Sequence, residues 1–243
     1  MYYGWRGKVG LVFPHTGSAP EHEYHKYLPE GVTINTTRIL FERVDPDGLY
    51  EMSQRVVDGA ALLGKAGQDI IVFPCTTGSL IKGYGYDLEL CEQIKAASGV
   101  KKAMTTSTAL VRALKAVGAK KLVVTTPYSE EVDQVEKKFL EDNGFEVLDI
   151  KGLGYKDPLL MPRVTPDMMY NLTKQVDVPE ADTVFVSCTG LGIMDAVPMM
   201  EQDFGKTVIT SNQATWWATL RELGIRDDLG LGKLRSEERR VGK

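Results

Sequence analysis

The chain carries one strand-rich pattern twice, at a constant spacing of 113 residues. Lys8-Val9-Gly10-Leu11-Val12 matches Lys121-Leu122-Val123-Val124-Thr125, and Pro14-His15 falls on Pro127-Tyr128. At the same spacing Val32-Thr33-Ile34 falls on Phe145-Glu146-Val147, and Asp69 to Thr76 falls on Asp182 to Thr189. Further on, Met104 to Gly118 aligns with Thr210 to Gly224 at a spacing of 106. Separate apolar runs sharing one ungapped spacing are hard to obtain by chance, and self-similarity on this scale constrains the whole fold. The repeat implies two copies of one unit facing each other across a pseudo-twofold axis.

Within each copy, short β-branched runs alternate with segments of helical periodicity. Residues 8–13, 32–35, 69–73, 121–126, 145–150, 183–186 and 208–210 read as strands. Residues 49–66, 87–97, 109–117, 130–143, 167–175, part of 193–204, and 214–223 read as helices. Strands that alternate with helices of this length form parallel sheets covered by helices. The expected fold is therefore α/β: two pseudo-symmetric Rossmann-like lobes with parallel sheets and an active site in the cleft between them. The lobes are expected over 1–113 and 114–213, with 214–234 packing back on the first and its repeat partner, 109–117, crossing to the second. The tail 236–243 has no core pattern and is expected to be a flexible, appended segment.

Composition narrows the function. With 29 Lys+Arg against 33 Asp+Glu the net charge is −4, so no basic excess exists to bind nucleic acid or an anionic membrane. The apolar runs are too short to span a bilayer, and the first residues lack the apolar core of a signal peptide. Three cysteines without CxxC spacing support neither a disulfide framework nor a metal site. A cytoplasmic protein with free thiols is the expectation. No GxGxxG opens a helix after the first strand, which argues against a dinucleotide.

Ligands of open α/β sheets bind beyond the carboxyl ends of the strands. Those ends are Pro14-His15-Thr16-Gly17, Cys75-Thr76-Thr77-Gly78-Ser79, Pro127-Tyr128-Ser129 and Cys188-Thr189-Gly190. A single cysteine at a strand end is ordinarily a small core hydrophobe. Two at repeat-equivalent positions, Cys75 and Cys188, instead place a thiol on each side of a shared cleft. Moving a proton at a carbon beside a carboxylate needs a base on one face and an acid on the other, and a thiol pair can supply both. Thr76, Thr77, Thr189 and Gly190 are small enough for hydroxyls and backbone N–H groups to converge on a carboxylate or enediolate. His15 and Tyr128 hold equivalent strand-end positions and are candidate substrate contacts, with Pro14 beside them. Cys91 has no repeat partner and reads as core.

At these residues the chain resembles the aspartate/glutamate racemase superfamily, in the branch of maleate cis-trans isomerases and arylmalonate decarboxylases. The resemblance rests on Phe73-Pro74-Cys75-Thr76-Thr77, Thr126-Pro127-Tyr128, Ser187 to Ala196 and Ser211 to Trp217, within about 9–234. It implies paired cysteines as acid and base, no cofactor, and a carboxylate held by Thr76, Thr77, Tyr128 and the Thr189-Gly190 backbone. Decarboxylases of the branch have one catalytic cysteine, matching Cys188, and a small residue at the place of Cys75. Maleate isomerases have both cysteines, but also asparagines that fall near Thr16-Gly17 and Lys156-Asp157 here. The expectation is a cofactor-independent racemase or isomerase of a small carboxylate, acting by two-cysteine proton transfer through an enediolate. The alternatives are an arylmalonate-type decarboxylase using Cys188, a maleate isomerase with Cys75 as nucleophile, or a non-catalytic solute-binding protein. Association into a homo-oligomer is a further implication of the resemblance.

Overall fold

The computed structural model describes residues 2–235, and the expected tail at 236–243 lies outside them. The first half runs β1 (Gly7–Pro14), α1 (Ser18–Lys26), β2 (Val32–Ile39), α2 (Pro46–Gln54), α3 (Val56–Lys65), β3 (Ile70–Phe73), α4 (Thr76–Leu80), α5 (Tyr86–Ser98), β4 (Ala103–Thr105) and α6 (Thr106–Ala116). The second runs β5 (Lys121–Thr126), α7 (Glu130–Asp142), β6 (Glu146–Gly152), α8 (Pro166–Val176), β7 (Thr183–Val186), α9 (Val197–Phe204), β8 (Thr207–Thr210) and α10 (Ser211–Glu222). The sheets have orders β2-β1-β3-β4 and β6-β5-β7-β8, with every strand pair parallel. The fold is α/β, and the two sheets share one topology.

Sequence chemistry accounts for the elements. The central strands β3 (IIVF) and β7 (TVFV) are buried throughout, as strands covered on both faces must be. Side-chain caps start several helices: Asp45 accepts from Gly48 N ahead of α2, Thr105 from Thr108 N ahead of α6, and Thr165 from Met168 N ahead of α8. Thr210 and Gln213 form a reciprocal capping box on α10. Gly59 lets α3 lie close on β1, because a Cβ there would sit 2.8 Å from Val12 Cγ1.

Several boundaries differ from the sequence reading. The single helix expected over 49–66 is two helices that meet at Arg55, where the chain makes a tight turn with Arg55 N donating to Met52 O. β1 runs one residue past its expected end at 13, with Pro14 paired to Ile39. The segment containing His22 and His25 forms α1, whose weak apolar stripe buries only Pro20, Glu23 and Tyr24. β4 has three residues, too short to stand out as a strand. The spacing of 106 also needs correcting at its start. Thr105 and Thr210 are the matching helix caps, whereas Gly118 and Gly224, at φ 73° and 76°, match after the helices. One extra residue in α10 absorbs the difference.

The two last helices trade sheets. Trp216 and Leu220 of α10 share a core with Val9, Leu11, Ile70 and Val72 of the first sheet. Leu110, Ala113 and Leu114 of α6 pack with Leu122, Val124, Phe185 and Ile209 of the second. Where the helices cross, Thr215 donates its hydroxyl to Thr106 Oγ1 at 2.9 Å. No described helix is long and apolar enough to cross a membrane.

Candidate active site

The carboxyl ends of β1, β3, β5 and β7 open on one cavity. The first half contributes Pro14, Thr16, Gly17, Phe41 and Val44, and then Pro74, Cys75 and Thr77. The second contributes Tyr128, Met161 and the run Cys188-Thr189-Gly190. Both repeat-equivalent cysteines therefore line the same space. No lysine, arginine, histidine or carboxylate is among these lining residues.

Each thiol lies close to backbone N–H groups and one hydroxyl, though not from repeat-equivalent residues. Gly190 N donates to Cys188 Sγ at 3.2 Å, and the Gly78 backbone N–H favours the thiolate of Cys75. The Thr77 hydroxyl favours the thiolate of Cys75, and the Tyr128 hydroxyl that of Cys188. Both glycines are closely packed, Gly190 against the base of a side chain and Gly78 against the flexible end of one. A Cβ on Gly78 would lie 3.0 Å from Cys75 Sγ and 2.5 Å from Met52 Cε, and one on Gly190 would lie 2.8 Å from Met161 Cβ. Burial pushes both thiols up, Cys75 to about 12 and Cys188 to about 11, while the N–H and hydroxyl donors pull the other way. The thiols also feel each other, since a thiolate at Cys188 raises Cys75 further. The favoured ionised form is thus one thiolate facing one thiol.

Cys188 is also backbone-strained. It is the one described non-glycine residue at positive φ, 100°. Its N–H donates to Ser211 Oγ at 3.0 Å, and Thr189 donates its hydroxyl to Pro74 O at 3.0 Å, across to the cysteine loop of the other half. Behind it, Ser187 donates to Glu136 Oε1 at 2.6 Å. Glu136 is fully buried, and its other oxygen has no partner. Burial pushes its carboxyl up to about 8, with Asp133 adding to the effect.

Of the residues expected to touch substrate, Pro14, Thr77, Tyr128, Thr189 and Gly190 line the cavity, and His15 and Thr76 do not. His15 is exposed, and its Nδ1 accepts from Phe41 N at 3.1 Å, which ties it to the chain after β2. Thr76 is buried and spends its hydroxyl on Ser211 Oγ at 2.8 Å. Sequence reasoning did not single out Phe41 and Val44, because both follow β2, which runs four residues past its expected end at 35. Cys91 is buried in α5 away from the cavity, 3.9 Å from Thr108 Oγ1. Among the described residues no group of three or more His, Cys, Asp or Glu side chains could hold a metal ion.

The model of the arylmalonate decarboxylase family matches residues 9–234. The chain belongs to that family. Among its relatives is a maleate isomerase of Pseudomonas putida, 26% identical over 230 residues that cover 90% of this chain and 92% of the relative. An arylmalonate decarboxylase of Bordetella bronchiseptica is 28% identical over 218 residues, covering 89% and 90%. A solved maleate isomerase from Pseudomonas putida S16, with maleate, superposes with a TM-score of 0.91 at 24% identity, covering 95% of this chain and 98% of that one. Members of the family are thus enzymes of isomerisation and of decarboxylation, and this chain shares their fold over nearly its whole length.

Proposed function

We propose that the chain is a cofactor-independent isomerase of a small carboxylic acid, with Cys75 and Cys188 exchanging a proton across the two faces of its α-carbon. The observation that supports this most is that both thiols line one cavity, each close to backbone N–H groups and one hydroxyl. In this mechanism the carboxylate lies against Thr77, Tyr128, Thr189 and Gly190. The thiolate removes the α-proton, and charge moves onto the carboxylate oxygens as an enediolate, which hydrogen-bond donors turned toward it from the cavity wall would stabilise. The opposite thiol then delivers a proton to the other face. It becomes the thiolate, so the enzyme is ready for the reverse direction without resetting.

The rest of the lining favours an apolar substituent. Phe41, Val44 and Met161 offer no cation for a second carboxylate, and an unpaired buried charge is costly. That weighs against any dicarboxylate, maleate and a malonate alike, relative to a monocarboxylate. The family match supports a second reading: a malonate-type acid loses carbon dioxide in the cavity and Cys188 protonates the enediolate. One experiment separates them. Arylpropionates and arylmalonates, with maleate as control, are incubated with enzyme in deuterated water and followed by NMR and chiral chromatography. Deuterium at the α-carbon with loss of optical purity is expected. Carbon dioxide release without exchange would select decarboxylation, fumarate would select cis-trans isomerisation, and none of the three would overturn the enzyme reading for these acids.

A further inference from the structure

We infer that Glu23, a buried carboxylate on α1 in the first half, is a positioning residue for Cys188 in the second. Through Asn212 it holds the turn that keeps Cys188 at positive φ. The inference rests on the reading of Cys188 as a reacting thiol.

The geometry is a chain of acceptors. Glu23 is only 6% exposed, and its Oε1 accepts from Met194 N at 2.7 Å. Its Oε2 accepts from Asn212 Nδ2 at 2.6 Å. The same amide nitrogen donates to Thr189 O at 3.1 Å and Leu191 O at 2.9 Å, the carbonyls just after Cys188. Asn212 Oδ1 has no partner, so the oxygens around Nδ2 decide which way the amide faces. Asn212 follows Ser211, whose hydroxyl takes the Cys188 N–H.

A strained residue persists only when its surroundings over-determine it. Here the turn after Cys188 is fixed at 189 and 191 by Asn212 and at 194 by Glu23 itself. A buried carboxylate is a costly way to fill a core, whereas one that accepts from both sides can set two segments at once. The charged neighbours are few. Asp195, in the turn after Met194, is occupied by Lys26 and Tyr27, with His22 acting on it; Tyr24 adjoins Glu23 on α1. Burial pushes Glu23 up to about 7 and Asp195 adds to this, while the Met194 and Asn212 donors oppose it. Protonation near neutral pH removes one acceptor, and the turn loosens as pH falls.

The test reads thiol chemistry rather than turnover. Native protein is alkylated with iodoacetamide between pH 5.5 and 8.5, and modification of Cys188 relative to Cys75 is measured by peptide mass spectrometry. Burial raises both thiols well above this range, so the ratio of their thiolate fractions stays constant across it. In the unmodified chain the Cys188/Cys75 ratio is expected to rise severalfold as pH falls through 7. Glu23→Gln turns a donor toward Asn212 or Met194 in place of an acceptor, so its ratio should be high and flat. A pH-independent ratio in the unmodified chain, or a Gln variant that follows the unmodified chain, overturns the inference. The first arm decides even where the variant does not fold. A ratio that responds as expected in a protein that exchanges no acid's α-proton would refute the proposed function and leave this role of Glu23 standing.

Discussion

Thr76 donates its hydroxyl to Ser211 Oγ at 2.8 Å, which links the residue after one cleft cysteine to the group that holds the backbone of the other. Ser211 Oγ is also the acceptor for Cys188 N. Replacing Ser211 with Ala leaves a buried N–H at a strained position without a partner, at a cost of about 1–3 kcal/mol. At roughly 2–4 °C per kcal/mol for a chain of this size, the melting temperature should fall by about 2–12 °C in calorimetry. An unchanged melting temperature would mean that the Cys188 turn is held elsewhere.

Cys75→Ser and Cys188→Ser should each lose α-proton exchange by about 10²-fold or more, because a hydroxyl is a far weaker acid than a thiol in a proton-transfer step. Circular dichroism should be unchanged for both. The variants part company on a malonate-type acid, where Cys75→Ser keeps the thiol assigned to protonation and Cys188→Ser does not. Exchange at the unmodified rate in both would make the cysteines core residues.

Tyr128→Phe removes the hydroxyl that lowers Cys188 and that faces the proposed carboxylate. Loss of one donor to a developing oxyanion typically costs about 10²–10³-fold in kcat. Alkylation of Cys188 in the empty enzyme should slow as well, since its thiol then titrates higher. A variant with altered KM but unchanged kcat would assign Tyr128 to binding alone.

Stability should decline from pH 5 to pH 8. Burial, the main cause in each, raises Asp133 to about 6, Glu23 to about 7 and Glu136 to about 8, from ordinary values of 3.8 or 4.5. A carboxyl whose folded pKa is raised contributes stability that is full below its unfolded pKa and is lost as pH rises through the folded one. Glu136→Gln supplies a neutral isostere, so it should change the melting temperature little at pH 5 and raise it relative to the unmodified chain at pH 8. An equal effect at both values would show that Glu136 is already ionised in the fold.

The fold was legible because a repeat constrains every strand at once, and β3 and β7 are apolar enough to read as buried. The cysteine pair was legible by the same repeat. Glu23 and Glu136 were not, because each sits on a helix among other acids, on α1 and α7, where a carboxylate reads as solvated surface. Their roles come from partners 171 and 51 residues away, Met194 and Ser187, and no local pattern marks such contacts. His15 and Thr76 show the converse: strand-end position brought them near the cavity, and a backbone N–H and a serine claimed their polar atoms first.

Because α6 covers the second sheet and α10 the first, the halves are clasped rather than hinged. Cutting the chain near Gly118 would take Trp216 and Leu220 from the core of the first sheet and Leu110, Ala113 and Leu114 from that of the second. Swinging the halves apart would break up the same cores and pull Thr215 from Thr106. The clasp thus joins the two walls that present the thiols, and the segments carrying Thr16, Phe41 and Met161 border the same cavity outside it.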